Sequence, residues 1–107
     1  MAELSRLSDL NIDDDILRAE LYHRISRYIA NPSNSVLVHF VAIDETYRPD
    51  LVSYRLYGTP ELRWLVSLVC DVDDEAAALP VGEEIRLPPA AWLRTEIRRY
   101  SDELRGI

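Results

Sequence analysis

The sequence predicts an α+β domain in which two short helices lie between two short strands, with a longer helix at either end. Three observations carry this. Residues 36–43 are a near-continuous run of β-formers, and 84–88 form a second, shorter run. Between them, apolar residues recur at helical spacing on both sides of Gly58, which punctuates the segment. Outside them, 13–30 and 90–104 carry apolar residues every three or four positions, the period of one buried helical face.

Residues 1–12 read as an arm. Leu4, Leu7, Leu10 and Ile12 are spread among Ser, Asp and Asn, as in a segment that is either frayed or pinned onto something else. The first helix follows over 13–30. Asn11 or Asp13 is suited to cap it, and Asp13, Asp14 and Asp15 sit where the positive end of the helix dipole favours acids. Leu17, Leu21, Ile25 and Ile29 make one stripe flanked by Tyr22 and Tyr28, with Arg18, Arg24 and Arg27 elsewhere on the wheel. Pro32 disfavours helical geometry at Asn31 and stops the helix.

The run 36–43 is apolar on both alternating faces, which predicts a strand covered on both sides. His39 lies within it. With no second histidine nearby, it reads as a strand histidine satisfied by a neighbour or water rather than as a base or ligand. Residues 44–49 read as a loop, and Asp50 as the cap of a helix over 51–57. Gly58 suits the left-handed position after that helix. Thr59, Pro60 and Glu61 then open a second helix as cap, first helical residue and first-turn acid. Leu62, Leu65, Val66 and Val69 form its apolar face, with Trp64 beside it. Residues 70–84 are acidic and small. The strand over 84–88 places Ile85 and Leu87 on one face, and Pro88-Pro89 closes it. The last helix holds Leu93, Ile97, Tyr100 and Leu104 in register, and Gly106 suits the position after its end.

A chain of 107 residues and 12.3 kDa suits one small core. Its net charge of −7 argues against a nucleic-acid partner and against attraction to anionic membrane. All 12 bases are Arg, which a GC-rich genome explains, although Arg forks also suit interface ion pairs. Cys70 is the single cysteine, which excludes an intrachain disulfide and a cysteine zinc cluster. His23 and His39 lack the spacing of a metalloprotease helix. The first ten residues have neither a basic nor an apolar leader pattern, and no apolar run approaches the roughly 20 residues of a membrane span. The expectation is a chain made in a cytosol.

The segment Asp50-Leu-Val-Ser-Tyr-Arg-Leu-Tyr-Gly58-Thr-Pro-Glu-Leu-Arg-Trp64, followed by Val81-Gly82-Glu-Glu-Ile-Arg-Leu-Pro88, resembles the LysM-like domain of baseplate wedge proteins from contractile-tailed phages and related injection machines. The resemblance covers about half the chain and rests on Tyr57, Gly58, Pro60, Trp64, Gly82 and Pro88 as a core motif. It implies a βααβ core over 36–88, a two-stranded antiparallel sheet packed on two short helices. The N-terminal helix and turn (13–35) and the C-terminal helix (89–107) are additions to it. Many family members carry an Asn near the end of the second helix, where this chain has Cys70 and Asp71.

The residues themselves offer no catalytic constellation. Asp73/Asp74 and Glu83/Glu84 are acid pairs without a water-poor cleft to hold them, and read as a solvated loop. The same acids lack the spacing of a calcium loop. Cys70 has no neighbouring base, Ser53 no nucleophile-elbow context, and three glycines make no phosphate loop. No enzyme activity, metal, cofactor or small-molecule substrate is expected. Trp64 and Tyr57 read as core aromatics before a sugar-stacking platform. Trp92 falls off the apolar stripe of its helix and has Arg94, Arg98 and Arg99 nearby. It reads equally as an interface anchor or as a tryptophan folded back on its own domain.

The resemblance implies a structural component of a contractile tail baseplate, in the virion tail, joining neighbouring wedge subunits around the hub. Its partners would be other baseplate proteins in a multi-copy ring. The arm residues Leu4, Leu7 and Leu10, with Trp92, Arg94, Arg98 and Arg99, would reach them. Two other readings stand beside it: a LysM-type module binding peptidoglycan or chitin, and a LysM-like tail protein joining tube and spike.

Overall fold

The first helix, α1, spans Asp15–Ala30, and its cap is Asp14 rather than Asn11 or Asp13. The Asp14 carboxylate accepts from the N–H groups of Ile16 and Leu17 at 2.8 and 3.2 Å, so two orphan donors of the first turn are satisfied. The computed structural model describes residues 8, 9, 12, 14–72 and 76–104. Among them are four α-helices and one two-stranded antiparallel sheet, a small α+β domain.

After α1 come β1 (Leu37–Phe40), α2 (Pro49–Tyr57), α3 (Arg63–Val69), β2 (Glu84–Leu87) and α4 (Ala90–Leu104). The strands pair in the register Leu37 with Leu87, Val38 with Arg86, His39 with Ile85 and Phe40 with Glu84. The inner face thus carries Leu37, His39, Ile85 and Leu87. The core beneath it gathers Leu21 and Ile25 of α1, Val52 of α2, Leu65 and Val66 of α3, and Leu93 and Ile97 of α4.

The expectation of a strand buried on both sides is corrected. Helices cover the sheet on one face only, so Val38 and Phe40 stand out to solvent, 50% and 62% exposed. The strand is also shorter than 36–43, because the chain turns at Ile43–Glu45 into a 3₁₀ turn where a plain loop is expected. Helix α2 begins two residues earlier than a cap at Asp50 predicts. Pro49 takes its first position, where a missing N–H costs nothing, and Asp50 lies in its first turn. Gly58 ends α2 at φ +76°, as its left-handed assignment requires. Thr59 caps the 3₁₀ turn Pro60–Leu62, which leads into α3. The last helix has the predicted bounds, 90–104.

Ile12, counted in the arm by its sequence surroundings, is fully buried in the core. Its N–H donates to the Asp9 carbonyl, and its own carbonyl accepts from the Arg18 guanidinium at 2.8 and 3.2 Å. Asp9 also accepts from the Tyr22 hydroxyl. The end of the arm is therefore pinned on α1. Leu4, Leu7, Leu10 and Gly106 lie outside the described residues.

Candidate functional site

Of the motif residues, Tyr57 is joined to Pro88, and Gly58 and Pro60 lie in the turn between α2 and α3. Trp64 packs on Tyr22 of α1, and Gly82 precedes β2, its N–H donating to the Val41 carbonyl. Tyr57 closes α2 and its hydroxyl donates to the carbonyl of Pro88 at 2.7 Å; burial pushes that phenol up from its ordinary pKa. Gly58 and Gly82 both hold positive φ, +76° and +83°, in tight turns. Neither has atoms within 4 Å of where a Cβ would stand, so backbone conformation and not space selects glycine there. Trp64 is half-buried, with its ring 6.0 Å from that of Tyr22 on α1. Both rings, Tyr57 and Trp64, pack against the core while staying partly exposed, and Trp64 also lines a cleft of about 350 Å³ with Tyr22, Asp9 and Asp71.

Two residues to which the sequence pattern gave no structural role hold this region together. Ser53 is buried; its hydroxyl donates to the Thr59 carbonyl at 2.5 Å and accepts from the Leu62 N–H at 3.1 Å, stitching α2 to the next turn. Glu45 is fully buried. Its Oε1 accepts from the Ala42 N–H at 2.7 Å and from His39 Nε2 at 2.8 Å, and its Oε2 accepts from Arg55 at 2.9 Å. Burial acts to raise its pKa, but the three donors outweigh it and hold the carboxyl below its ordinary value. An ionised carboxylate only accepts, so His39 carries its proton on Nε2. His39 is thus satisfied by a neighbour. Arg55 also grips Asp44. This node ties β1, the 3₁₀ turn and α2 into one rigid unit. The signal for Glu45 was an acid three residues after Ala42, where a side chain reaches back to a free N–H.

The rigid unit carries an exposed apolar surface. Val38 and Phe40 project from the outer sheet face, and Ile43 and Tyr47 from the turn beyond, at 82% and 63% exposure. The rim is polar: Arg86 pairs with Glu84 at 3.2 Å, opposite Val38 and Phe40 in the register.

On the other side of the molecule, Trp92 stacks on Tyr28 with ring centroids 4.3 Å apart. It is folded back on its own domain and stays partly exposed. Arg94, Arg98 and Arg99 are all exposed on α4. Arg98 stands 3.9 Å from Asp102, and Arg99 3.8 Å from Glu96, whereas Trp92 faces α1.

Cys70 is half-buried beyond the end of α3. Burial, and then the charge of Glu83, push its thiol up to about 11. Asp73 and Asp74 lie outside the described residues; Glu83 and Glu84 are exposed. Among the described residues no three His, Cys, Asp or Glu side chains come close enough to hold a metal ion. No helix among them is long and apolar enough to cross a membrane. Comparison with family models, curated proteins and solved structures gave no match to the chain.

Proposed function

We propose that the chain is a structural joint in a multi-subunit assembly, and that the assembly is a contractile tail baseplate in which it serves as a wedge protein. The observation that carries the reading is the exposure of four large apolar side chains, Val38, Phe40, Ile43 and Tyr47, within ten residues, on elements that the buried Glu45 ties together. Large apolar side chains left to solvent near one another mark protein contacts. Rigid elements present such contacts with little ordering cost.

The order strand, two helices, strand over 37–87 supports taking that unit as a LysM-like scaffold. So does the meeting of Tyr57 with Pro88. The chain departs from that family near the end of the second helix, where Cys70 and Asp71 stand in place of the common Asn; Asp71 adopts φ +56°, a backbone that Asn and Asp tolerate best. Tyr57, whose hydroxyl is engaged by the Pro88 carbonyl, favours the joint over the glycan-binding module.

The test is co-purification. Contractile tails isolated from cells expressing tagged wild-type chain should retain it through high-salt washes, and Phe40→Asp should be lost from them while remaining folded. Absence of the wild-type chain from purified tails would overturn the reading. Saturable, glycan-competed retention on peptidoglycan would replace it with the wall-binding one.

A further inference from the structure

The seam between α1 and α4 gathers three arginines, Arg24, Arg27 and Arg99, with one carboxylate, Glu96. Arg24 Nε lies 2.7 Å from Glu96 Oε2 as an ion pair, and Arg24 Nη2 donates a long hydrogen bond to Glu96 Oε1 at 3.5 Å. Arg99 approaches the same oxygen at 3.8 Å, so two guanidiniums share one carboxylate that is itself nearly buried. Arg27 has no carboxylate partner among the described residues. It lies in the last turn of α1, where the helix dipole offers only a partial negative charge. Glu20, the nearest acid on this face of α1, precedes Arg24 by one turn and Arg27 by two.

These arginines do not stand on a flat surface. Arg24 and Arg27 form the shared wall of two adjoining clefts. One, of about 620 Å³, runs toward Ile16 and Tyr100. The other, of about 300 Å³, is floored by Trp92 and Tyr28 and edged by Asn31. The Asn31 Oδ1 accepts from the Ser33 N–H. Asp15 and Glu20 also line the larger cleft, so its charge is mixed, with Ile16, 74% exposed, beside them. The smaller cleft is lined by both arginines, Tyr28, Trp92, Asn31 and Asn34, with no acid among its described lining residues.

We propose that the smaller cleft docks an acidic segment of a partner protein, with carboxylates against Arg24 and Arg27 and an apolar or aromatic side chain on Trp92. The occupant follows from charge complementarity. In a chain of net charge −7, a surplus of guanidiniums gathered in a cleft beside a half-buried tryptophan suits an acid-bearing peptide and disfavours a basic one. Arg forks bind carboxylates bidentately, and Trp with Arg is the makeup of interface anchors. The inference deepens the joint reading by giving it a second contact surface, and it rests on that reading for its partner. It can fail while tail association stands, because its probe is a peptide and not a tail.

The probe is a synthetic peptide of alternating glutamate pairs and single leucines, titrated into the full-length chain and followed by ¹⁵N amide and tryptophan indole shifts. Expected are saturable shifts at the Trp92 indole and at residues 24–31, smaller at high salt. Arg27→Glu should weaken binding at least about tenfold with the amide spectrum otherwise preserved. Arg27→Ala should weaken it less. Three outcomes overturn the proposal: no shifts at millimolar peptide, equal shifts with a lysine-for-glutamate peptide, or wild-type affinity in Arg27→Glu. So does concentration-dependent dimerisation abolished by Arg27→Glu, since the occupant would then be a second copy.

Discussion

The hydroxyl of Tyr57 donates to the carbonyl of Pro88 across 2.7 Å and 31 residues of chain. It ties the last residue of α2 to the exit of β2, and so closes the unit that begins at β1. Pro88 is buried, so no bulk water replaces the bond. Tyr57→Phe keeps the ring and removes the donor. A buried acceptor left unpaired costs about 1–2 kcal/mol. The urea midpoint should fall accordingly with an unchanged slope. An unmoved midpoint would mean that the carbonyl is satisfied in some other way.

Much of this architecture was readable because it follows from local rules. Pro32, Gly58 and Pro60 punctuate the chain where their backbone chemistry demands, and α4 has the bounds that its apolar period predicts. What was not readable is tertiary. Val38 and Phe40 look like core residues in a run of β-formers; only the count of layers decides that their face is bare. Ile12 looks like part of a polar arm, and only the Arg18 and Asp9 contacts pull it inward. The cleft at Arg24 and Arg27 joins residues of two helices more than sixty positions apart, so no local pattern announces it.

Glu45 makes acid stability testable. Its folded pKa lies below the ordinary value of 4.5, so the unfolded state binds protons first as pH drops. Its contribution is fully present above the unfolded pKa and is lost as pH falls through the folded one. Glu45→Gln keeps the shape but aims an amide N–H₂ at groups that are themselves donors. It should cost about 2–4 kcal/mol near neutral pH, discounted toward the lower end because Arg55 is partly exposed. The gap between wild type and variant should narrow as pH is lowered below 4.5. A gap that stays constant from pH 7 to pH 3 would show that the carboxylate charge does not contribute.

Cys70 should be a slow thiol. A thiol near pKa 11 holds about 300-fold less thiolate at neutral pH than a free cysteine near 8.5. Alkylation by iodoacetamide at pH 7.5 should therefore run at least about 100-fold slower in the folded chain than in urea, and should accelerate steadily up to pH 10. Equal native and denatured rates would place the sulfur in water.

Two turns with the same backbone sign should respond in opposite directions. Gly58 ends α2 at φ +76°, with its N–H donating to the Tyr54 carbonyl at 2.8 Å. Gly58→Ala meets open space but places a Cβ in left-handed backbone, costing about 1 kcal/mol. Asp71 occupies the equivalent position after α3 at φ +56°. There the Val72 N–H returns to the Ser67 carbonyl at 2.9 Å, and the Asp71 N–H to the Leu68 carbonyl at 3.2 Å, the paired bonds of a Schellman ending. Glycine is the usual residue at that site. Asp71→Gly relieves the steric strain and removes one negative charge from an acidic run, against a larger loss of unfolded-chain entropy. We expect a net gain of about 0.5 kcal/mol. Thermal melts of both variants decide it: a loss at 71 as large as that at 58 would mean that the aspartate side chain holds the turn through bonds of its own.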